Sequence, residues 1–230
     1  MYNYIMLSNK SIFLKLQQNY FSILSRIYNK LFKPSPLNNT NFSLISSNCV
    51  GGVYLHRKKM KFNTPTINTD FSSFDFLKFC NNLKYYLSIK PVFLKKDEKG
   101  IINVKIDDII VKCPHSNSFA EFLDEWERRK KRVFYSNIFV IWCAREKHVP
   151  AEAIKLFDAI PYKKIFYTID TSLAYHKNAV LVKDYLNERA LPLMTMRIDT
   201  KDHRLFDKYI DIDAFIDDLG TTNYENSSNK

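Results

Sequence analysis

The sequence predicts an α/β fold of three layers, with a mostly parallel or mixed sheet flanked by helices and an extra amphipathic helix at the N-terminus. Three observations carry this. Short apolar stretches alternate with segments of helical periodicity. Ser/Thr-x-x-Asp/Glu capping signatures open two of the helical segments. With 46% hydrophobic and 15% aromatic residues, a chain of 27.2 kDa has the means to bury a sizeable core.

The first element is a helix over Ser11–Phe32. Phe13, Leu16, Tyr20, Leu24, Ile27 and Leu31 fall on one stripe, and Lys15, Gln18, Ser22, Arg26, Asn29 and Lys33 on the opposite one. Pro34 and Pro36 stop it. Residues 1–40 contain five Lys/Arg and no acidic residue. A helix of this kind packs its apolar stripe on its own domain or on a second subunit, or lies on an anionic membrane surface. Residues 1–37 are thus read as a basic helix with a proline-containing linker, 38–220 as one α/β domain, and 221–230 as a disordered Asn/Ser tail.

Within the domain, a strand at 41–47 runs into Ser46, Ser47, Asn48 and Cys49 and then the pair Gly51-Gly52, two of only four glycines. Paired glycines after a strand mark either a tight turn that needs positive φ or a close approach of bare backbone to a ligand. An irregular stretch continues through Pro65. Ser72 and Asp75 cap a helix carrying Phe76, Phe79, Leu83 and Leu87 on one face. Strands at 91–95 and 101–112 flank the turn Lys96–Gly100. Ser118 and Glu121 open a helix running to about Arg132. A buried strand at 138–143, a helix over Pro150–Ala159 and a strand at 164–169 come next. Strands near 179–182 and 193–198, with helical pieces at 183–190 and 213–219, close the domain, and Gly220 fits a helix C-cap.

Composition excludes several classes of function. The net charge of +11 suggests nucleic acid or an anionic membrane as partner. Enrichment in Lys, Asn, Ile, Phe and Tyr also follows from an AT-rich genome, and no basic stripe with interleaved aromatics and glycines is present, so no nucleic-acid partner is expected. Cys49, Cys80, Cys113 and Cys143 are widely spaced single cysteines, consistent with reduced thiols and a cytoplasmic protein without a metal site. No secretory signal is expected, because Lys10, Lys15 and Gln17–Asn19 interrupt any apolar core of one. The apolar run Ile138–Ala144 is too short to span a bilayer, so any membrane contact is peripheral, at the inner face.

Ligands in parallel α/β sheets bind beyond the carboxyl ends of the strands. Parallel strands here would deliver Asn48 and Cys49, then Cys113 and His115, then Arg145 and Glu146, and finally Asp170 and Thr171. His115 and Asp170 are the candidate general bases. Cys49, beside backbone amides, is the candidate nucleophile with a lowered pKa. Asn48, Gly51 and Gly52 would hold a substrate through backbone, while Arg128, Arg129, Arg132 and Arg145 would offset its charge. For Arg128–Arg132 the alternative is a solvated basic helix end, favoured by the helix dipole. Asp211-Ile212-Asp213 has the Asp-x-Asp form that holds a divalent metal on a nucleotide-sugar, although Asp213 also suits the N-cap of the last helix.

Two of these stretches together resemble the bacterial domain-of-unknown-function family nineteen-nineteen, whose members often carry the label exopolysaccharide biosynthesis protein. Its opening pattern, an apolar strand followed by Ser-Asn-Asn-Cys-Trp-Gly-Gly, stands here as Ser46, Ser47, Asn48, Cys49, Val50, Gly51 and Gly52. A second block, Trp-x-Arg-Arg-x-x-Arg-x-x-x-x-Asn, stands as Trp126, Arg128, Arg129, Arg132 and Asn137. Between them, Asn63–Thr66 and His115 fall where the family has an Asn-Ser-Pro-like turn and a histidine. The likeness covers residues 38–215; Ser47 for Asn and Val50 for Trp depart from the pattern. It implies an α/β fold and a cytoplasmic place in capsule, exopolysaccharide or lipopolysaccharide assembly, with no settled reaction.

The resulting expectation is a glycosyltransferase-like transferase acting on a glycan or lipid-linked saccharide precursor. Its one candidate donor is a nucleotide-sugar. An acyl (acetyl) transferase using Cys49 or a His115-activated hydroxyl, and a non-catalytic binding module of the assembly machinery, are the alternatives.

Overall fold

The computed structural model describes residues 2–217, with side chains from residue 13 onward. In chain order the elements are α1 (Tyr2–Leu31), β1 (Ser43–Ser46), α2 (Val50–Arg57), β2 (Asp70–Phe71), α3 (Ser73–Asn81), α4 (Leu83–Ser88), β3 (Val92–Lys96), β4 (Ile102–Ile106), β5 (Ile109–Cys113), α5 (Phe119–Lys130), β6 (Ile138–Cys143), α6 (Ala151–Ala159), β7 (Lys163–Thr168), β8 (Ala179–Leu181) and α7 (Ile212–Asp217), joined by loops and short 3-10 turns.

The fold is α/β, and its strands divide between two four-stranded sheets. One is parallel throughout, in the order β1-β6-β7-β8; the other is antiparallel, in the order β2-β5-β4-β3. The parallel sheet is buried on both faces, which is why β6 reads as an unbroken apolar run. Its side chains alternate between two cores. Ile138, Val140 and Trp142 join one apolar cluster with α3, α5, α6 and the antiparallel sheet. Phe139, Ile141 and Cys143 join the other with α2, α7 and residues 191–210.

The free edge of β1 is covered by the stretch 63–71. Asn63 Nδ2 donates to the Phe42 carbonyl, Ser43 Oγ donates to the Asn63 carbonyl (2.7 Å), and Ser46 N–H donates to Thr66 Oγ1 (3.4 Å). Phe71 N–H then bonds the Ser47 carbonyl (3.0 Å). An exposed strand edge is thereby closed by side-chain and loop contacts rather than by a further long strand.

Several local expectations change. Gly51 and Gly52 do not form a positive-φ turn: they lie in the first turn of α2, and Gly100 is the glycine with positive φ among the described residues. The helix expected from Ser72 to Leu87 is two helices, divided at Asn82, whose φ −126 and ψ 43 are non-helical. The strand expected over 101–112 is a hairpin, β4–β5, that turns at Asp107-Asp108 with Asp107 at φ 54. Residues 193–198 form no strand; a single bridge joins Arg197 to Arg204. Asp211, not Asp213, caps α7, accepting from the Ala214 amide (3.0 Å). Gly220 and the tail 221–230 lie outside the described residues.

The N-terminal helix is mounted the opposite way round from the first of its three expected uses. Its polar side faces the domain: Gln18 Nε2 donates to the Arg197 carbonyl (2.9 Å) and Gln18 Oε1 accepts from the Arg197 amide (3.1 Å). Arg197 Nε donates to Ser25 Oγ (3.2 Å), and Asn29 Nδ2 donates to Asp202 Oδ2 (3.2 Å). Phe21, Leu24 and Tyr28 are partly covered as well, so these hydrogen bonds act together with some apolar burial in fixing which side is inward.

Candidate functional site

Because β1, β6 and β7 are parallel, their carboxyl ends share one edge of the sheet. β1 ends in Ser46–Cys49, β6 leads into Arg145 and Glu146, and β7 leads into Asp170. β2 and the start of α3 reach the same edge from the β1 side, through the Phe71–Ser47 bond, and add Asp70 and Ser73.

The contacts there are specific. Arg145 grips Asp70 with both terminal nitrogens, Nη1 to Oδ2 at 3.2 Å and Nη2 to Oδ1 at 2.5 Å. About half of the Arg145 side chain stays open to solvent. Ser73 Oγ donates to the Glu146 carboxylate, at 2.9 and 3.0 Å from its two oxygens, and itself accepts from Trp142 Nε1 (3.3 Å). Glu146 is exposed but held in one orientation by this relay from the buried indole. Residues 186–191 lie across the turn: Leu191 N–H donates to the Arg145 carbonyl (3.0 Å), Ala190 bridges Glu146, and Lys147 Nζ reaches the Leu186 carbonyl (3.2 Å).

The glycine block has an internal explanation. Gly51 N–H donates to Ser46 Oγ (3.0 Å), Ser46 Oγ donates to the Asn48 carbonyl (2.6 Å), and Val50 N–H donates to Asn48 Oδ1 (3.1 Å). Two amides of the first turn of α2, the groups that would receive a phosphate, are therefore occupied by the chain's own side chains. A Cβ on Gly51 would meet Ser46 Oγ at 2.7 Å, whereas one on Gly52 would meet nothing closer than Ile67 at 3.4 Å. Gly51 is glycine because α2 starts pressed against the end of β1.

The arginine block is likewise engaged in holding the fold. Arg129 is buried; it pairs with Glu125 (2.8 Å), donates to the Ile67 carbonyl (3.3 Å) and lies over the Phe62 ring. Arg132 donates to the Phe62 carbonyl (3.3 Å), and Asn137 Nδ2 to the Asn41 carbonyl (2.8 Å). Arg128 is more than half exposed, 3.8 Å from Glu125. Trp126 is in the core. Arg129 and Arg132 thus clamp the segment that covers β1.

The candidate bases and nucleophile also find definite settings. His115 is exposed in the turn after β5, a strand of the antiparallel sheet whose Lys112 pairs with Asp70, so its place relative to the shared edge is set by that pairing and not by the parallel-sheet rule. Asp170 is buried and accepts from Val149 N–H (2.8 Å), Ser172 N–H (3.0 Å) and Ser172 Oγ (2.6 Å). Burial raises its pKa, but these bonds outweigh that and hold it below the usual carboxylate value. It acts as a cap of the following 3-10 turn. Burial, with Asp70 adding to it and Arg145 opposing, pushes the Cys49 thiol up to about 11, the reverse of the lowering a nucleophile needs. Cys113 and Cys143 belong to different apolar clusters, and among the described residues no three His, Cys, Asp or Glu side chains gather as metal ligands. Asp213 of the Asp-x-Asp stretch accepts from Tyr54 Oη (2.8 Å) and pairs with Lys58.

Asp70 and Ser73 carry no sequence pattern that marks them; each arrives through long-range pairing. Clefts of about 430, 530 and 330 Å³ also occur. The first lies between the end of α1, the end of α2 and residues 201–213, and the other two lie at the amino ends of β6, β7 and β8. None of the three is lined by the glycine pair or the arginine run.

The sequence profile of the family "Domain of unknown function (DUF1919)" matches residues 24–217, and the chain belongs to that family. An uncharacterized protein of Haemophilus influenzae is 32% identical over 150 residues, which cover 65% of this chain and 71% of that protein.

Proposed function

We propose that this DUF1919 member is a transferase, glycosyltransferase-like in its chemistry. It would act in the cytoplasm on a sugar-containing precursor of capsule, exopolysaccharide or lipopolysaccharide. The observation that carries the reading is the gathering of Arg145, Asp70, Ser73 and Glu146 at the carboxyl edge of the parallel sheet, where α/β proteins bind ligands. In this reading Arg145 is the anion-binding group: its guanidinium exchanges one oxygen of Asp70 for a phosphate oxygen of the donor, a nucleotide-sugar. Glu146, aimed by Ser73, removes the proton from the acceptor hydroxyl. Glu146 replaces Asp170 in that role, since Asp170 has its carboxylate occupied, and it is preferred to His115 because the relay from Ser73 aims it.

The test is complementation of a deletion strain, scored by polymer yield, with Glu146→Gln and Arg145→Ala proteins shown to accumulate normally. Glu146→Gln should lose at least roughly 100-fold in transfer, the span expected for removing a general base, and Arg145→Ala at least roughly 100-fold for removing a group that stabilises charge on the donor phosphates. Full polymer from both would instead support a non-catalytic module of the assembly machinery. One observation favours that second reading: the amides of Val50 and Gly51, and the buried Arg129, are already satisfied within the chain.

A further inference from the structure

We infer that the outward face of α1 docks this protein on the surface of an anionic bilayer. The inference rests on the helix alone and stands apart from the transferase reading. Phe13, Leu16, Ile23, Ile27 and Leu31 recur at helical spacing and are all more than half exposed, Leu31 to 73%. Such a stripe on a helix that touches its own domain normally faces a core. Here the opposite side is the one bonded to the domain, through Gln18, Ser25 and Asn29, so the apolar side is turned outward by the way the helix is fixed.

Charge selects the occupant. Lys15, Arg26 and Lys30 of α1 are exposed, as is Lys33 just beyond its end; at about 100° per residue Lys30 borders the stripe, and Arg26 and Lys15 lie further round, between the stripe and the side bonded to the domain. No acidic residue occurs in residues 1–40. A second copy of the helix would set these cations against one another with no carboxylate of its own to pair them. An anionic phospholipid surface offsets them while taking the apolar stripe into its headgroup boundary. Among the described residues no helix is long and apolar enough to cross a membrane, so the helix lies in the interface plane. The domain's own charge of the same sign reinforces approach to that surface.

The experiment is co-flotation of the full-length protein with phosphatidylcholine vesicles, with and without about 30% phosphatidylglycerol. Expected is binding to the anionic vesicles at least roughly tenfold above the neutral ones, weakening as salt rises. Leu16→Ser/Ile23→Ser/Ile27→Ser and, separately, Lys30→Glu/Lys33→Glu should each lower it at least roughly tenfold. The charge pair lies on exposed positions and keeps the test valid if the serine variant is poorly folded. No binding to either vesicle, or undiminished binding by both variants, overturns the inference. Self-association in ultracentrifugation that is lost in the serine variant, without vesicle binding, overturns it in favour of a second copy.

Discussion

Two regions of this chain read alike as sequence and differ in the folded molecule: the arginine block at the end of α5 and the basic helix α1. Both look like surfaces waiting for an anion. In the first, Arg129 is buried among Glu125, the Ile67 carbonyl and the Phe62 ring, and Arg132 holds the Phe62 carbonyl. In the second, Lys15, Arg26 and Lys30, with Lys33 just beyond the helix, stand in solvent on the same helix as an exposed apolar stripe. The difference lies in what each run is packed against. A cation next to a loop with unpaired carbonyls becomes part of the fold. A cation on the outer side of a docked helix stays available to a partner.

The largest effect that could break this contrast is at Arg129. Replacing it with Ala strips the Ile67 carbonyl of a donor and leaves Glu125 without its closest cation. The expected loss is about 2–3 kcal/mol of folding stability, because a buried hydrogen-bonded charge is removed while its partners remain. A urea titration reads it as a lower midpoint at unchanged slope. Unchanged stability would mean that the block is free for a ligand after all.

A smaller effect sharpens the same point at the glycine pair. Gly51→Ala sets a methyl group 2.7 Å from Ser46 Oγ, an atom fixed by two hydrogen bonds, and should cost about 1–3 kcal/mol. Gly52→Ala meets only ordinary contact with Ile67 and gains helix propensity, so it should be neutral or stabilising by up to ~1 kcal/mol. Equal tolerance at both positions would show that close packing is not what requires glycine at 51, and would reopen the ligand-cradle reading.

How much of this was legible beforehand follows the range of the interactions. Ser72 and Ser118 accept from the amides of Asp75 and Glu121 as the capping signatures predict, since three residues contain the whole interaction. The parallel strands β1, β6 and β7 were readable for the same reason: their apolar runs record burial on both faces. The hairpin at Asp107-Asp108 had a local signal, two turn-forming residues between apolar runs, that a longer strand reading passes over. Of the candidate site, Arg145 and Glu146 could be placed at the edge from strand ends alone. Asp70 and Ser73 could not, because β2 is two residues long and is located by pairing with β5, 42 and 40 positions away at Asp70↔Lys112 and Phe71↔Val111, not by any pattern of its own. For His115 the reverse holds: the strand before it is legible as an apolar run, but the sheet that strand joins is set by pairing with β2 and β4.

The smallest effect tests the orientation of α1 itself. Asn29→Ala removes one partly buried bond to Asp202, a carboxylate that keeps Arg197 and Arg204 as partners, so the expected cost is about 0.5 kcal/mol. Ile27→Ala, on the exposed stripe, should change nothing beyond its small helix-propensity gain. Amide hydrogen exchange within α1 is the right measurement, because undocking of one helix is a local opening that global unfolding does not resolve. Faster exchange in Asn29→Ala than in Ile27→Ala means that hydrogen bonds on the polar side hold the helix down and that its apolar side is left for another surface. The reverse order would mean that the apolar stripe is packed inward, and the contrast between the two cationic regions would vanish with it.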